Sequence, residues 1–296
     1  MTLAPTSAIH PNRPVHPVPA ASGAILDADS LRTLIEIVRE TCGITMSAAK
    51  RTMLETRLRR RLAANGLDDF ASYVRLLRTP GGRADELQAF TDCVVTNQTS
   101  FFREAPHFDH LTGAELRRLA EASDRSLNIW SAAASSGQEA YSLAMIADAA
   151  SEGGRLFDWS VLATDISVRM LEAVREGIYS EEDIQPVPTT LRQQYLRPLK
   201  GGRAEVCRPL RQRVRIGQIN LMHERYMPGR VMDIIFCRNV LIYFDPQTQV
   251  EVVEKLCRHL RPGGLLVLGH SEALRTKHLP LKLLRSNIHE RVEAPL

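Results

Sequence analysis

Three stretches place polar side chains just after short apolar runs, where a buried ligand would be met. The first is 130–139, W-S-A-A-A-S-S-G-Q-E. Its small residues let the backbone approach a ligand closely, and Gly137 opens the following helix. One glycine is not G-x-G-x-x-G, and no Walker lysine follows, so a phosphate-anchored nucleotide is disfavoured. A nucleoside carrying a positive charge suits an acid such as Glu139. The second stretch is Ala163-Thr164-Asp165. An acid at the end of the second strand is placed to accept hydrogen bonds from both ribose hydroxyls. Capping the next helix is the plainer role for Asp165 or Ser167. The third stretch, 237–244, reads C-R-N-V-L-I-Y-F and brings polar groups to the same rim.

Those residues need strand ends to hold them. After Phe102, short apolar runs (127–130, 161–164, 232–237, 265–268) alternate with helical stretches near 139–150, 167–175 and 246–260. Strand–helix alternation predicts a parallel sheet covered by helices on both faces. Arg261-Pro262-Gly263-Gly264 turns into the last of these strands. Such strand ends are frequent in nucleoside-binding α/β folds that use S-adenosylmethionine. The rhythm breaks between 191 and 216, where Lys200-Gly201-Gly202-Arg203 signals a hairpin and predicts a small β-insertion.

Upstream, the pattern from Asp27 to Thr96 is helical. Leu31, Leu34, Ile35 and Val38 follow Asp29 and Ser30 as candidate N-caps. Leu54, Leu58 and Leu62 stripe a second helix from Ser47, and Phe70, Tyr73, Val74 and Leu77 a third, which Thr79-Pro80-Gly81-Gly82 ends. The expected organisation is a disordered leader (1–26, five prolines by residue 20), an all-helical domain (27–96) and an α/β domain (97–296).

Composition narrows the field. Hydrophobic content of 44 % and charged content of 24 % are ordinary globular values and exclude wholesale disorder or a rod. No apolar run is long enough to span a bilayer, and none of the five scattered cysteines forms a C-x-x-C pair. His107 and His110, at i, i+3, read as a helix-surface pair. The expectation is a reduced, cytoplasmic, metal-free protein. Charge is uneven: residues 50–61 hold six basic side chains against Glu55 alone, more than the net +4 of the whole chain. That imbalance points to an acidic partner.

Residues 96–104, T-N-Q-T-S-F-F-R-E, resemble the N-x-T-x-F-F-R segment of the bacterial chemotaxis receptor glutamate methyltransferases, the CheR family. The resemblance continues through 130–142, 163–167, 236–244 and 260–272, ending in Gly269-His270-Ser271-Glu272. It covers about 27–292, in order. Gln138 and Ala140 stand where an acid and a proline are common, which puts the shape of that loop alone in question.

The resemblance implies a Rossmann-like, class I S-adenosylmethionine methyltransferase domain with a small β-insertion, preceded by an all-helical N-terminal domain. It implies cofactor contacts from Asn97, Thr99, Arg103, Glu139 and Asp165, and from Asn220, Leu221, Arg238 and Asn239. Arg103 and Tyr243 fall at the reacting end. The implied reaction methylates receptor glutamates, giving γ-glutamyl methyl esters and S-adenosylhomocysteine. A glutamate is ionised at pH 7, so no general base is required, and the site must desolvate and align it. Arg103 suits that guidance. His270 reads as structural.

Arg57, Arg60 and Arg61 are expected to dock on the cytoplasmic helical bundle of a receptor, with the enzyme a monomer that neither inserts in membrane nor binds nucleic acid. The competing readings are a regulatory binding module of the same fold and a nucleic-acid methyltransferase guided by the arginine cluster. Amine-directed enzymes often carry an Asn/Asp-Pro-Pro-aromatic turn where this chain has Arg238-Asn239-Val240-Leu241. Some family members also grip a receptor tail along the insertion's edge strand. The short turn at Gly201-Gly202 predicts that this chain works without that tether.

Overall fold

The computed structural model describes residues 23–273 and 279–293. The expected leader falls almost wholly outside them. Asp27 caps the first helix, α1 (Ala28–Cys42), two residues ahead of the sequence-predicted caps, accepting from the amides of Asp29 and Ser30. After a 3₁₀ turn come α2 (Arg51–Ala64), α3 (Phe70–Arg78) and α4 (Pro80–Val94). The expected breaker ends α3 and also starts α4. Pro80 occupies a first-turn position that has no hydrogen bond to lose, and the Thr79 hydroxyl caps Gly82. Leu34, Leu54, Leu58, Tyr73 and Phe90 are among the fully buried residues of this domain's core.

The chain then runs through α5 (Ala105–His110), α6 (Gly113–Glu121), β1 (Ser126–Ala132), α7 (Gln138–Ala150), β2 (Asp158–Asp165) and α8 (Val168–Glu176). A small excursion follows: β3 (Ile178–Ser180), α9 (Glu181–Ile184), α10 (Thr189–Tyr195), β4 (Leu196–Leu199), β5 (Arg203–Val206) and α11 (Arg208–Gln212). The chain returns through β6 (Val214–Gln218), β7 (Met232–Cys237), α12 (Pro246–Cys257), β8 (Leu260–Leu268), β9 (Leu281–Arg285) and β10 (Ile288–Arg291).

Seven strands make the main sheet in the order β6-β2-β1-β7-β8-β10-β9. The first five are parallel, and β10 and β9 run antiparallel at one edge. Every residue of β7 is buried, as a strand covered on both faces must be. The strand order reverses between β1 and β7, and their carboxyl ends open the crevice where open α/β sheets bind ligands.

The insertion is the three-stranded sheet β3-β5-β4. It begins at Ile178, earlier than the expected 191, because β3 pairs with β5. Residues 214–216, expected in the insertion, belong to the main sheet, where Val214 is in register with Val161.

Candidate active site

A cavity of about 290 Å³ lies between the helical domain and the carboxyl ends of β1, β2 and β7. All ten residues singled out for cofactor and catalysis line it: Asn97, Thr99, Arg103, Glu139, Asp165, Asn220, Leu221, Arg238, Asn239 and Tyr243. The helical domain supplies the facing wall, including Thr45, Met46, Lys50 and Met53. Two hydrogen bonds fix the wall to the rim, Thr45 N to the Tyr243 carbonyl (2.8 Å) and Asn220 Nδ2 to the Thr41 carbonyl (2.7 Å).

The loop after β1 is shaped by left-handed backbone at Ala133, Ser135 and Gly137. Gly137, at φ +96°, is required twice over, since a Cβ there would stand 2.9 Å from the Tyr179 hydroxyl. Asp165, at the end of β2, accepts from Ser135 N and Ser167 N, both at 2.9 Å. The cap of α8 is Ser167, whose side chain accepts from Met170 N. Asp165 is thereby left as a buried acid on the cavity wall. Burial pushes its carboxyl upward, against the pull of the backbone amides.

Residues 97–104 cross from α4 to α5 along the cavity. Ser135 Oγ donates to the Asn97 carbonyl (2.7 Å), Ser142 Oγ accepts from Phe102 N (3.0 Å), and Phe101 packs edge-on against Tyr179. Arg103 is half-buried, and its side chain's one hydrogen bond among the described residues goes to the Gln98 carbonyl (3.0 Å). No described carboxylate pairs with it. Its charge is therefore available to an incoming anion.

Glu139 is not a free acid. Ser131 Oγ donates to Oε1 (2.7 Å) and Arg238 Nη1 to Oε2 (3.0 Å). Burial raises its carboxyl while the guanidinium opposes that rise. The other arm of Arg238 donates to Glu104 Oε2 (3.0 Å) and to the Arg103 carbonyl (2.5 Å). Glu104, in left-handed backbone at φ +59°, also accepts from Asn239 Nδ2 (3.0 Å). Burial opposes ionisation of Glu104, and these donors overcome it, holding its pKa at about 2.

His107 is fully buried, so the expected helix-surface pair with His110 does not form. Its Nε2 donates to the Ser286 carbonyl (2.7 Å). Glu104, His107 and His270 bring ligand atoms within 4.8 Å of one another. Glu104 Oε2 already accepts from Arg238 and from the His270 amide.

All three docking arginines are engaged within the molecule. Arg57 Nη1 donates to the carbonyls of Val94 (2.9 Å) and Val95 (3.1 Å), and Arg61 forms a forked pair with the buried Glu86 (2.7 and 2.6 Å). They flank the leucine stripe of α2, where α4 offers acceptors, instead of pointing to solvent. Arg60 stays exposed, and its Nε donates to Cys93 Sγ (3.3 Å).

Sequence reasoning assigned no role to Glu104 or Glu272, although both lie in the strings that carried the resemblance. Glu272 gathers the Gly269, Asn239, Leu241 and Ile242 amides. Nothing near either residue in the chain names its partners.

The cavity fits S-adenosylmethionine in the chemistry of its donors. A buried acid, Asp165, lies on its wall at the end of β2, side-chain amides line it, and no glycine-rich phosphate cradle is present among the described residues. Residues 97–289 match the family model "CheR methyltransferase, SAM binding domain", and residues 29–95 match "CheR methyltransferase, all-alpha domain". A chemotaxis protein methyltransferase of Escherichia coli is 39 % identical over 254 residues, spanning 84 % of this chain and 85 % of that protein. One from Borreliella burgdorferi is 38 % identical over 83 % of this chain and 89 % of its own length. Chemotaxis protein methyltransferase 2 of Pseudomonas aeruginosa is 40 % identical over 78 % and 81 %. With both halves matched in order and the cavity formed where they meet, the chain belongs to the CheR family of S-adenosylmethionine-dependent methyltransferases.

Proposed function

We propose that the enzyme methylates glutamate side chains of chemotaxis receptors, forming γ-glutamyl methyl esters and releasing S-adenosylhomocysteine. The carrying observation is Arg103, a half-buried cation on the cavity wall with no described carboxylate partner. When bound, S-adenosylmethionine supplies an electrophilic methyl group on a sulfonium centre. The residues of the chain need only bring a glutamate to it. The planar guanidinium of Arg103 orients the incoming carboxylate without a proton transfer, since the substrate is already ionised. Tyr243 and the helical-domain residues Met46 and Met53 line the same cavity and give the transfer an apolar wall. Asp165 holds the ribose. Arg103→Ala tests this reading: the variant folds, keeps S-adenosylhomocysteine affinity within about tenfold, and loses methyl transfer to receptor. Wild-type transfer would remove Arg103 from the mechanism.

The receptor surface is the basic helix α2, whose exposed Arg60 meets an acidic helical bundle, while Lys50 lies at the cavity mouth. The protein works as a monomer in the cytoplasm, and no described helix is long and apolar enough to cross a membrane. The turn between β4 and β5 consists of Lys200, Gly201 and Gly202, which supports action without a receptor-tail tether. Titration with tail peptides ending in an aromatic residue gives no saturable binding on this reading. Micromolar binding lost on mutation of Arg197 and Arg203 would overturn it.

A further inference from the structure

Glu272 does not line the cavity, yet its carboxylate is the most heavily used acceptor beside it. Oε2 takes the amides of Gly269 (2.6 Å) and Asn239 (2.8 Å), and Oε1 takes those of Leu241 (2.7 Å) and Ile242 (3.3 Å). Three of the four donors belong to one short segment after β7, which carries Asn239 and Tyr243 to the cavity. Asn239 sits in left-handed backbone at φ +58°, a conformation a non-glycine residue holds only when its surroundings impose it. Its side chain is held separately by Glu104 Oε1 (3.0 Å). Asn239 is thus gripped by one carboxylate at the backbone and another at the side chain.

We infer that Glu272 is a positioning residue for the cofactor and for methyl transfer, setting the backbone of the 239–243 segment that presents Asn239 and Tyr243. Charge-assisted bonds to four amides are stronger than neutral ones, and no other described acceptor serves these donors. The packing leaves no slack. A Cβ on Gly269 would stand 2.6 Å from Glu272 Oε2 and 2.8 Å from Asn239 Nδ2. Gly269 is what lets the carboxylate approach.

This inference deepens the proposed reading of the same site, and the test separates the two. Glu272→Gln keeps the volume but sets an amide N–H₂ against two backbone N–H donors. In it, the S-adenosylhomocysteine Kd measured by calorimetry rises at least fivefold, and kcat falls at least tenfold with receptor KM little changed. Gly269→Ala, which crowds the same oxygen, repeats both effects and decides the matter if Glu272→Gln does not fold. The control is Val252→Ala, a buried α12 residue that does not line the cavity. It lowers Tm comparably and leaves Kd and kcat alone. Unchanged Kd and kcat in folded Glu272→Gln, or equal changes in Val252→Ala, would overturn the inference. Failure of the wild type to bind S-adenosylhomocysteine would instead overturn the cofactor reading.

Discussion

Asp165 and Ser135 join the carboxyl ends of the neighbouring strands β2 and β1: Ser135 N donates to Asp165 Oδ2 at 2.9 Å. The acid after β2 therefore shapes the loop after β1 while facing the cavity. Asp165→Asn should weaken S-adenosylmethionine and S-adenosylhomocysteine alike, because the ribose is common to both. Loss of a charged hydrogen-bond partner costs about 1.5–3 kcal/mol, or roughly 10- to 150-fold in Kd. Calorimetry showing unchanged affinity for both ligands would remove Asp165 from the ribose site.

Arg61 and Glu86 pair in the core of the helical domain, where the Tyr73 hydroxyl also donates to Glu86 (2.7 Å). Arg61→Ala leaves a 5 %-exposed carboxylate without its cation. Such a loss costs about 3 kcal/mol. Arg60→Ala, at an exposed position where only a weak N–H···S bond to Cys93 is lost, should cost under about 1 kcal/mol. Urea unfolding of the two variants checks the difference, and equal effects would contradict the pairing.

The same contrast refines the docking test. Reversing Arg57, Arg60 and Arg61 together would unsettle the helical domain, because Arg57 and Arg61 donate to internal oxygen acceptors, whereas Arg60 donates only to the weaker Cys93 sulfur. Arg60→Glu alone should raise the receptor KM severalfold at low salt and leave S-adenosylhomocysteine affinity untouched. Unaltered receptor kinetics would mean that this face of α2 is merely solvated.

His107 gives stability a pH dependence of known sign. Burial and the Arg238 guanidinium lower its pKa from an ordinary 6.5 to about 4. Between those values the unfolded chain binds a proton that the native protein does not. Stability contributed by the neutral ring is thus present above pH 6.5 and falls as pH drops towards 4, by about 1.4 kcal/mol per unit. Glu104, held at about 2, stays ionised throughout that window. In His107→Gln, which can still donate to Ser286, stability should fall less steeply between pH 6.5 and 4.5. Parallel curves for variant and wild type would contradict the buried neutral ring.

The rim of the cavity was legible because parallel strands are continuous apolar runs whose ends are marked by polar residues. Asp165, Arg238 and Asn239 were found that way, while the roles of Asn97 and Arg103 came from the family resemblance. What stayed hidden depends on contacts distant in the chain. Glu104 meets Arg238 and Asn239 across 134 and 135 residues, and no local pattern records that. Arg57 and Arg61 looked solvent-facing because the α2 stripe alone does not show that α4 flanks it. The antiparallel pair β9–β10 was missed because most of β9, L-K-L-L-R, is exposed and has no alternation to reveal it. His107 seemed superficial because its burial comes from the turn at Ser286, far along the chain.

The most direct test is incubation of the purified enzyme with methyl-labelled S-adenosylmethionine and chemotaxis receptors in membranes, followed by alkaline treatment of the recovered receptor. The account predicts label on receptor glutamates that is released as methanol by base and absent with Arg103→Ala. Base-stable label, or none on any receptor from an enzyme that binds S-adenosylhomocysteine, would contradict it.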